Sequence, residues 1–352
     1  MPANRSGQHG LTLVELLVAI AVGLLVVGGA VTAFNQTIEI VDSVTEVSEM
    51  QQNARAALNL IVRDISIVGT GIPIGGIPFP NGAGSTGLPL RPGAIGAFPF
   101  NGGVISAITP GDGVGPTLAG GADTSVLTRG PLATDAITLV YVDESLNLGE
   151  FPLASITPAG SQIRVDPATD ITDPATGIQI GDIIFLSNSN GAAVGVVTNV
   201  PGGNRIDFAN NDPLNLNQPS AAFGNIAALA NPPPPAGNYP PTRAVRIYVI
   251  SYYLEDTPTG PRLMRQVNAT PPVPVALNID NLQFSFDVFD TAAGVATSDL
   301  ANPATPNQIR KVNIALSARS AHRNRRTRDY YRLNLVTHVG ARNLSFRDRY
   351  PG

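Results

Sequence analysis

The residues able to do chemistry are few, and they concentrate near the two ends of the chain. Glu15 is the only charge within residues 11–34, an otherwise apolar run. A carboxylate in a membrane helix costs about 2.5–3.5 kcal/mol on insertion scales, so it marks a functional position unless it snorkels to the interface. Histidine occurs three times, as His9, His322 and His338, with no H-x-x-x-H spacing. No G-x-S-x-G, phosphate-loop or dinucleotide fingerprint is present. Lys311 is the only lysine, which leaves Schiff-base chemistry no other place. The absence of cysteine removes disulfides, thiol nucleophiles and thiolate metal sites. Asp166, Asp170 and Asp173 offer oxygen ligands to calcium, but their spacing fits no EF-hand loop, and Pro167 and Pro174 favour a plain turn. The run His322-Arg323-Asn324-Arg325-Arg326-Thr327-Arg328 can contact nucleic-acid phosphates or another anionic surface. The competing reading is a solvated hairpin loop that pairs with acidic neighbours. No catalytic constellation emerges, and neither an enzyme nor a cofactor is expected.

The elements that hold these residues follow from composition and period. Charged residues are 14% of the 352, below the roughly 25% usual for soluble domains, while hydrophobic residues at 43% suffice for a core. Gly and Pro together number 67, which points to a loop-rich β protein. From residue 309 onward eleven basic residues face only Asp329 and Asp348, a net of +9 in a chain whose total is −4. The rest of the chain is therefore strongly acidic, and the two regions can pair within or between chains.

As a helix, residues 11–34 span about 36 Å, enough to cross a hydrocarbon layer of ~30 Å. A secretory signal peptide would need a small-residue cleavage site after the run, and none follows. Arg5 in the short segment ahead places the N-terminus in the cytoplasm and the rest outside. No proline occurs from residue 11 to 72. Val41, Val44 and Val47 recur at threes, and Ala54, Leu58, Ile61, Ile65 and Val68 at threes and fours. Gly69-Thr70-Gly71-Ile72-Pro73 is a stop signal. One helix over 11–68 is expected, the first half in lipid and the second packed by one face on a globular domain.

The string Gly10-Leu11-Thr12-Leu13-Val14-Glu15-Leu16-Leu17 resembles the type III signal of type IV pilins and type II secretion pseudopilins. That resemblance implies cleavage by a prepilin peptidase between Gly10 and Leu11, N-methylation of Leu11, and an assembly role for Glu15 as fifth residue of the mature chain. Leu11 replaces the family's usual Phe. Glu15 would then meet a neighbour's amino terminus, the pair offsetting two costly buried charges. Gly23, Gly28 and Gly29 either allow close helix packing in the membrane or mark a segment that unwinds on entering a filament. Gln51-Gln52-Asn53-Ala54-Arg55-Ala56-Ala57-Leu58-Asn59-Leu60-Ile61-Val62-Arg63-Asp64-Ile65 is similar to the spine end of PilW-like minor pilins and J-type pseudopilins. On physical grounds alone, Arg55, Arg63 and Asp64 are simply solvated.

Residues 69–135 hold 26 Gly and Pro among 67 positions and read as a connecting loop that covers the sheet or decorates the surface. Strands are expected over 136–142, 181–186, 193–198, 205–208, 244–254, 262–266, 282–289, 310–319 and 330–339. The later ones alternate, as in Phe284-Phe286-Val288 and Val312-Ile314-Leu316. A polyproline stretch, Pro232 to Pro235, interrupts them. The subfamily resemblance extends through Gly181-Asp182-Ile183-Ile184, Tyr252-Tyr253-Leu254, Arg262-Leu263-Met264-Arg265, Ile279-Asp280-Asn281-Leu282-Gln283-Phe284 and Gly340-Ala341-Arg342-Asn343. It does not cover residues 69–135. The organisation read is a leader over 1–10, a membrane span over 11–34, an amphipathic continuation over 35–68, a loop over 69–135 and a β-rich domain over 136–352.

The resemblance implies an α+β type IV pilin fold, a long helix on a mainly antiparallel sheet. It implies a structural subunit of type IV pilus assembly near the filament tip, or a J-type pseudopilin of a secretion system. A tip adhesin or DNA-binding module, its activity carried by the loop over 69–135 or by the Arg323, Arg325, Arg326 and Arg328 patch, is a further alternative. Its partners would be other minor and major pilins, the prepilin peptidase, the inner-membrane assembly platform and the lipid bilayer. Removing residues 1–34 should leave a soluble, folded chain with a strong β circular-dichroism signal, a helical component and no redox dependence. A molten or purely helical spectrum would contradict the α+β assignment.

Overall fold

The computed structural model describes residues 12–73, 75–80, 103–119, 131–143, 146, 148, 153–167, 170–173, 177–202, 204–210, 212–221, 224–230, 240–324 and 327–347. Freedom from proline and an apolar period of 3.6 produce one unbroken helix, α1 (Leu13–Ile67), of 55 residues and about 83 Å. Val68 caps its C-terminus, and Gly69 turns the chain with φ near +79°. Only the part beyond Val47 is packed: Met50, Ala54, Ala57, Ile61, Asp64 and Ile65 are buried. Val41 and Val44, expected on the same face, are exposed. A spacing of three steps back about 60° around the helix, so Val44 and Val41 rotate off the face that Val47 begins.

Short strands follow: β1 (Ile77–Pro78), β2 (Val104–Ile105), β3 (Ile108–Gly111), β4 (Thr117–Ala119) and β5 (Pro131–Ala133). The described part of residues 69–135 is thus more than a connection over the surface. β3 joins a main sheet through β6 (Ala136–Val142), and Ile72, Ile77, Phe79, Ile105 and Ile108 lie in the core. Runs of two to four residues broken by Gly and Pro are too short to show alternation, which is why the sequence reads as loop.

The chain continues through β7 (Ser155–Ile156), β8 (Gln162–Arg164), β9 (Ile183–Asn188), β10 (Gly191–Val196), β11 (Asn199–Gly202), β12 (Arg205–Asp207) and a turn of helix, α2 (Ile226–Leu229). The polyproline stretch lies outside the described residues. Then come β13 (Arg243–Glu255), β14 (Arg262–Val267), β15 (Val273–Leu277), β16 (Ile279–Asp290), β17 (Val295–Leu300), β18 (Ile309–Arg323), β19 (Tyr330–Gly340) and α3 (Arg342–Arg347). The nine expected strands all appear within a few residues of their limits. β15, which carries Pro274, and β17, exposed except at Leu300, are not legible in the sequence.

All strand pairs named here are antiparallel. The first sheet runs β10-β9-β13-β14-β15, with β6 attached to β13 and β3 to β6. Ile250 to Tyr252 pair on both sides, with β6 and with β14. The second runs β17-β16-β18-β19, and α1 packs against β18, β19 and β15. Between helix and sheets lies one core containing Ile61, Ile65, Tyr252, Leu254, Phe284, Phe286, Ile314 and Leu316. A second core, with Ile163, Ile184, Leu186, Ile206, Phe208 and Leu229, supports β7 to β12. At its border, buried Arg246 donates to Asp143 at 2.7 Å, to Asp182 at 3.2 Å and to the Gly177 carbonyl at 2.7 Å. The α+β architecture expected of a pilin-like chain is the one observed.

Asp135 joins the two sheets. Its carboxylate accepts from Gly113 N and from Phe284 N, both at 2.8 Å, and its own N–H donates to Leu282 O. Changing Asp135→Ala should cost about 2–4 kcal/mol in urea unfolding, because the buried strand N–H of Phe284 and the loop N–H of Gly113 both lose this acceptor. A loss below about 0.5 kcal/mol would mean that the sheets are held together without it.

Candidate functional site

At its membrane end α1 begins with a reciprocal cap. Thr12 N and Thr12 Oγ1 each donate to Glu15 Oε2 at 2.9 Å, and Glu15 N donates to Thr12 Oγ1 at 3.3 Å. This is the T-x-x-E capping box, which satisfies first-turn N–H groups and places an anion at the positive end of the helix. The spacing Thr12-Leu13-Val14-Glu15 could have revealed it. Gly10 and Leu11 lie outside the described residues. Every residue from 12 to 42 is exposed, and the helix is long and apolar enough to cross a membrane. Gly23, Gly28 and Gly29 are helical here and have open space around them; the Gly28 carbonyl accepts from Thr32 Oγ1 at 2.8 Å.

Where the helix meets the domain, the structure corrects the reading of Asp64 as solvated. Asp64 is fully buried. It lies on the helix face of Ala57, Ile61 and Ile65, where an acid should have stood out. Asp64 Oδ2 accepts from Tyr252 Oη at 2.7 Å and from Arg265 Nη2 at 2.9 Å. Tyr252 and Arg265 are cross-strand partners on β13 and β14, so the sheet presents both donors together. Arg63 and Arg55 are exposed, as expected. Burial, and then the Asp64 carboxylate, push the Tyr141 phenol up to about 12, and the same two causes raise that of Tyr252. Burial works against the charge of Arg265, but Tyr252 and Asp64 outweigh it and raise its pKa.

The far end of α1 is tied by the C-terminal segment. Asn343 Nδ2 donates to the Val68 carbonyl at 3.1 Å and to Thr70 Oγ1 at 2.9 Å. Gly69 N donates to Val140 O at 2.9 Å. Asn343 therefore serves an orphan carbonyl of the helix end, which gives the Gly340-Ala341-Arg342-Asn343 string a structural reason.

The arginine-rich run forms the tip between β18 and β19. His322 Nδ1 stands 3.0 Å from Glu46 Oε1 on α1. Arg323 donates to the Arg328 carbonyl at 3.2 Å, and Arg328 adopts φ near +58°. The Tyr330 ring lies within cation–π reach of Arg319, Arg323 and Arg332, at 4.3, 5.0 and 5.9 Å. Arg325 and Arg326 lie outside the described residues. His338 is exposed on β19. Asp170 closes a turn by accepting from Thr172 N and Oγ1, both at 2.9 Å. Among the described residues no group of three acids or histidines could hold a metal ion.

Residues 5–31 match the family model of the prokaryotic N-terminal methylation motif. That segment is a type IV pilin-like signal and contains Gly10, Leu11, Glu15, Gly23, Gly28 and Gly29. No curated protein and no solved structure matches the chain.

Asp64 generates the sharpest stability test. Asp64→Ala strands Arg265 in a largely dry site and should cost about 3–5 kcal/mol in chemical denaturation. Asp64→Ala with Arg265→Ala should cost clearly less than the sum of the singles. Additive losses would show that the two side chains do not act as a pair.

Proposed function

We propose that the chain is a minor pilin of the PilW-like kind, a structural subunit that takes part in starting type IV pilus assembly near the filament tip. What carries the reading is the coincidence of the methylation motif over 5–31 with one continuous helix, bare from 12 to 42 and then buried by one face in an antiparallel β domain. On this reading a prepilin peptidase cuts between Gly10 and Leu11, and the new amino group on Leu11 is methylated. The subunit first sits in the inner membrane with its N-terminus cytoplasmic and its β domain periplasmic, and later on the pilus surface. Its partners are other pilins and the assembly platform. No enzymatic step is assigned.

Glu15 takes two roles in sequence. In the single subunit it caps its own helix through Thr12. In the assembled state it faces a neighbour's amino terminus in low dielectric, where an unpaired charge is costly. The three glycines are helical in the subunit and give the span its places to unwind. A second reading, a J-type pseudopilin, is favoured by the spine-end string over residues 51–65, which suits both subfamilies.

Gly10 and Glu15 should separate processing from assembly. Gly10→Phe should leave uncut precursor in the membrane, visible as a heavier band. Glu15→Ala should be cut normally yet fail to enter filaments, since the partner amine loses its counter-charge. Normal processing of the Gly10 variant would remove the proposal's foundation.

A further inference from the structure

The charged tip between β18 and β19 has a fixed height above the membrane. β18 runs antiparallel to α1 along the whole packed half of the helix. At one end Ala341 N donates to Arg310 O at 2.8 Å, close to where Asn343 holds Val68. At the other end His322 meets Glu46 at 3.0 Å. The tip therefore points toward the bare half of α1. Glu46 follows Phe34 by twelve residues, about 18 Å along the helix.

At that same height α1 carries a row of acids. Asp42 and Glu49 are seven residues apart, two turns, and stand one above the other within about 20°. Both are exposed, and neither has an ion-pair partner among the described residues. Glu46, between them, is occupied by His322 of its own chain. On the tip, Arg332 is held by Asp280 at 2.9 Å and Asp329 at 3.1 Å. Arg323 and Arg328 are exposed and have no carboxylate partner among the described residues. Among the described residues, one molecule thus presents two cations, Arg323 and Arg328, and two anions, Asp42 and Glu49, without ion-pair partners.

We infer that this tip docks on the Asp42 and Glu49 flank of α1 in a second copy of the chain lying beside it in the same bilayer. Two copies anchored by the same span carry cations and anions at one level, so the contact needs no axial shift. A two-fold axis along the membrane normal makes both contacts at once. Tyr330, stacked with Arg319 and Arg323, stiffens the tip and lowers the ordering cost of docking. An anionic lipid surface is the weaker occupant, because the acids at the same level repel it. The contact requires only a membrane-anchored chain, and so stands apart from the pilus reading.

The test uses the full chain in a zwitterionic detergent, followed by sedimentation equilibrium. Self-association should weaken about tenfold between roughly 0.05 and 0.3 M salt, as screening shortens the reach of the charges. Arg323→Glu with Arg328→Glu should weaken it by about tenfold or more, and so should Asp42→Arg with Glu49→Arg. An equal mixture of the two charge-reversed proteins should recover to within about threefold of the original, since each tip then faces a row of opposite sign. Circular dichroism confirms that both variants are folded. Unchanged association in either variant, or a mixture that stays dissociated, overturns the inference. Loss of association in the arginine variant without rescue by mixing, joined to lost binding of phosphatidylglycerol, would assign the tip to lipid instead.

Discussion

A carboxylate in a dry interior cannot move without its partners, and Asp64 is that carboxylate here. The stripe of Ala54, Ala57, Ile61 and Ile65 is nearly uniform along the helix. A slide of one turn, about 5.4 Å, would bury similar apolar area against the same sheet. It would also tear Asp64 from Tyr252 and Arg265 and leave a charge uncompensated. Removing one partner of a buried pair costs about 3–5 kcal/mol, far more than the difference between two apolar registers. The pair therefore sets where α1 sits on the domain. Everything measured along the helix, including where the β18–β19 tip stands relative to the bare half of α1, inherits that register.

The remaining ties sharpen the same placement. Asn343 and Gly69 hold the C-terminal end of α1 to the last helix and to β6. Asp135, directly ahead of β6, binds that strand to β16. Arg246 and its two aspartates perform a similar task between the first sheet and the second core. Asp135 and Arg246 are buried and Asn343 half-buried, and each finds partners in distant parts of the sequence, as a polar group taken out of water must. Together they make the domain specific where its apolar surfaces alone are permissive.

Much of this was legible in the sequence. The helix follows from the missing prolines and the 3.6 period, and β13, β16, β18 and β19 from alternation over eight to eleven residues. The illegible parts share a cause: they are fixed by contacts far away in the chain. β1 to β5 are too short for any period, and β3 becomes a strand because β6 offers it an edge. β17 is exposed up to the half-buried Leu300, so no alternation patterns it. Asp64 looked solvated because Tyr252 and Arg265 lie about 190 and 200 residues on. The Thr12 cap hides in the sequence because Glu15 stands out first as a charge in an apolar run. The arginine run was visible as charge, but its neighbour Glu46 was not.

The path of β18 has a mechanical consequence. The strand lies along α1: at one end its His322 meets Glu46, and at the other the segment bonded to it through Ala341 N and Arg310 O holds Val68 through Asn343. A pull along the helix axis therefore reaches the second sheet parallel to its strands. Antiparallel hydrogen bonds run perpendicular to the strands, so such a load shears the β16-β18-β19 ladder across its length instead of unzipping it bond by bond. Many bonds must yield together before α1 can be drawn out of the domain. The same ladder loaded sideways, at the open edge of β17, would peel one pair at a time. The molecule is thus built to resist tension in one direction, the direction of its own helix.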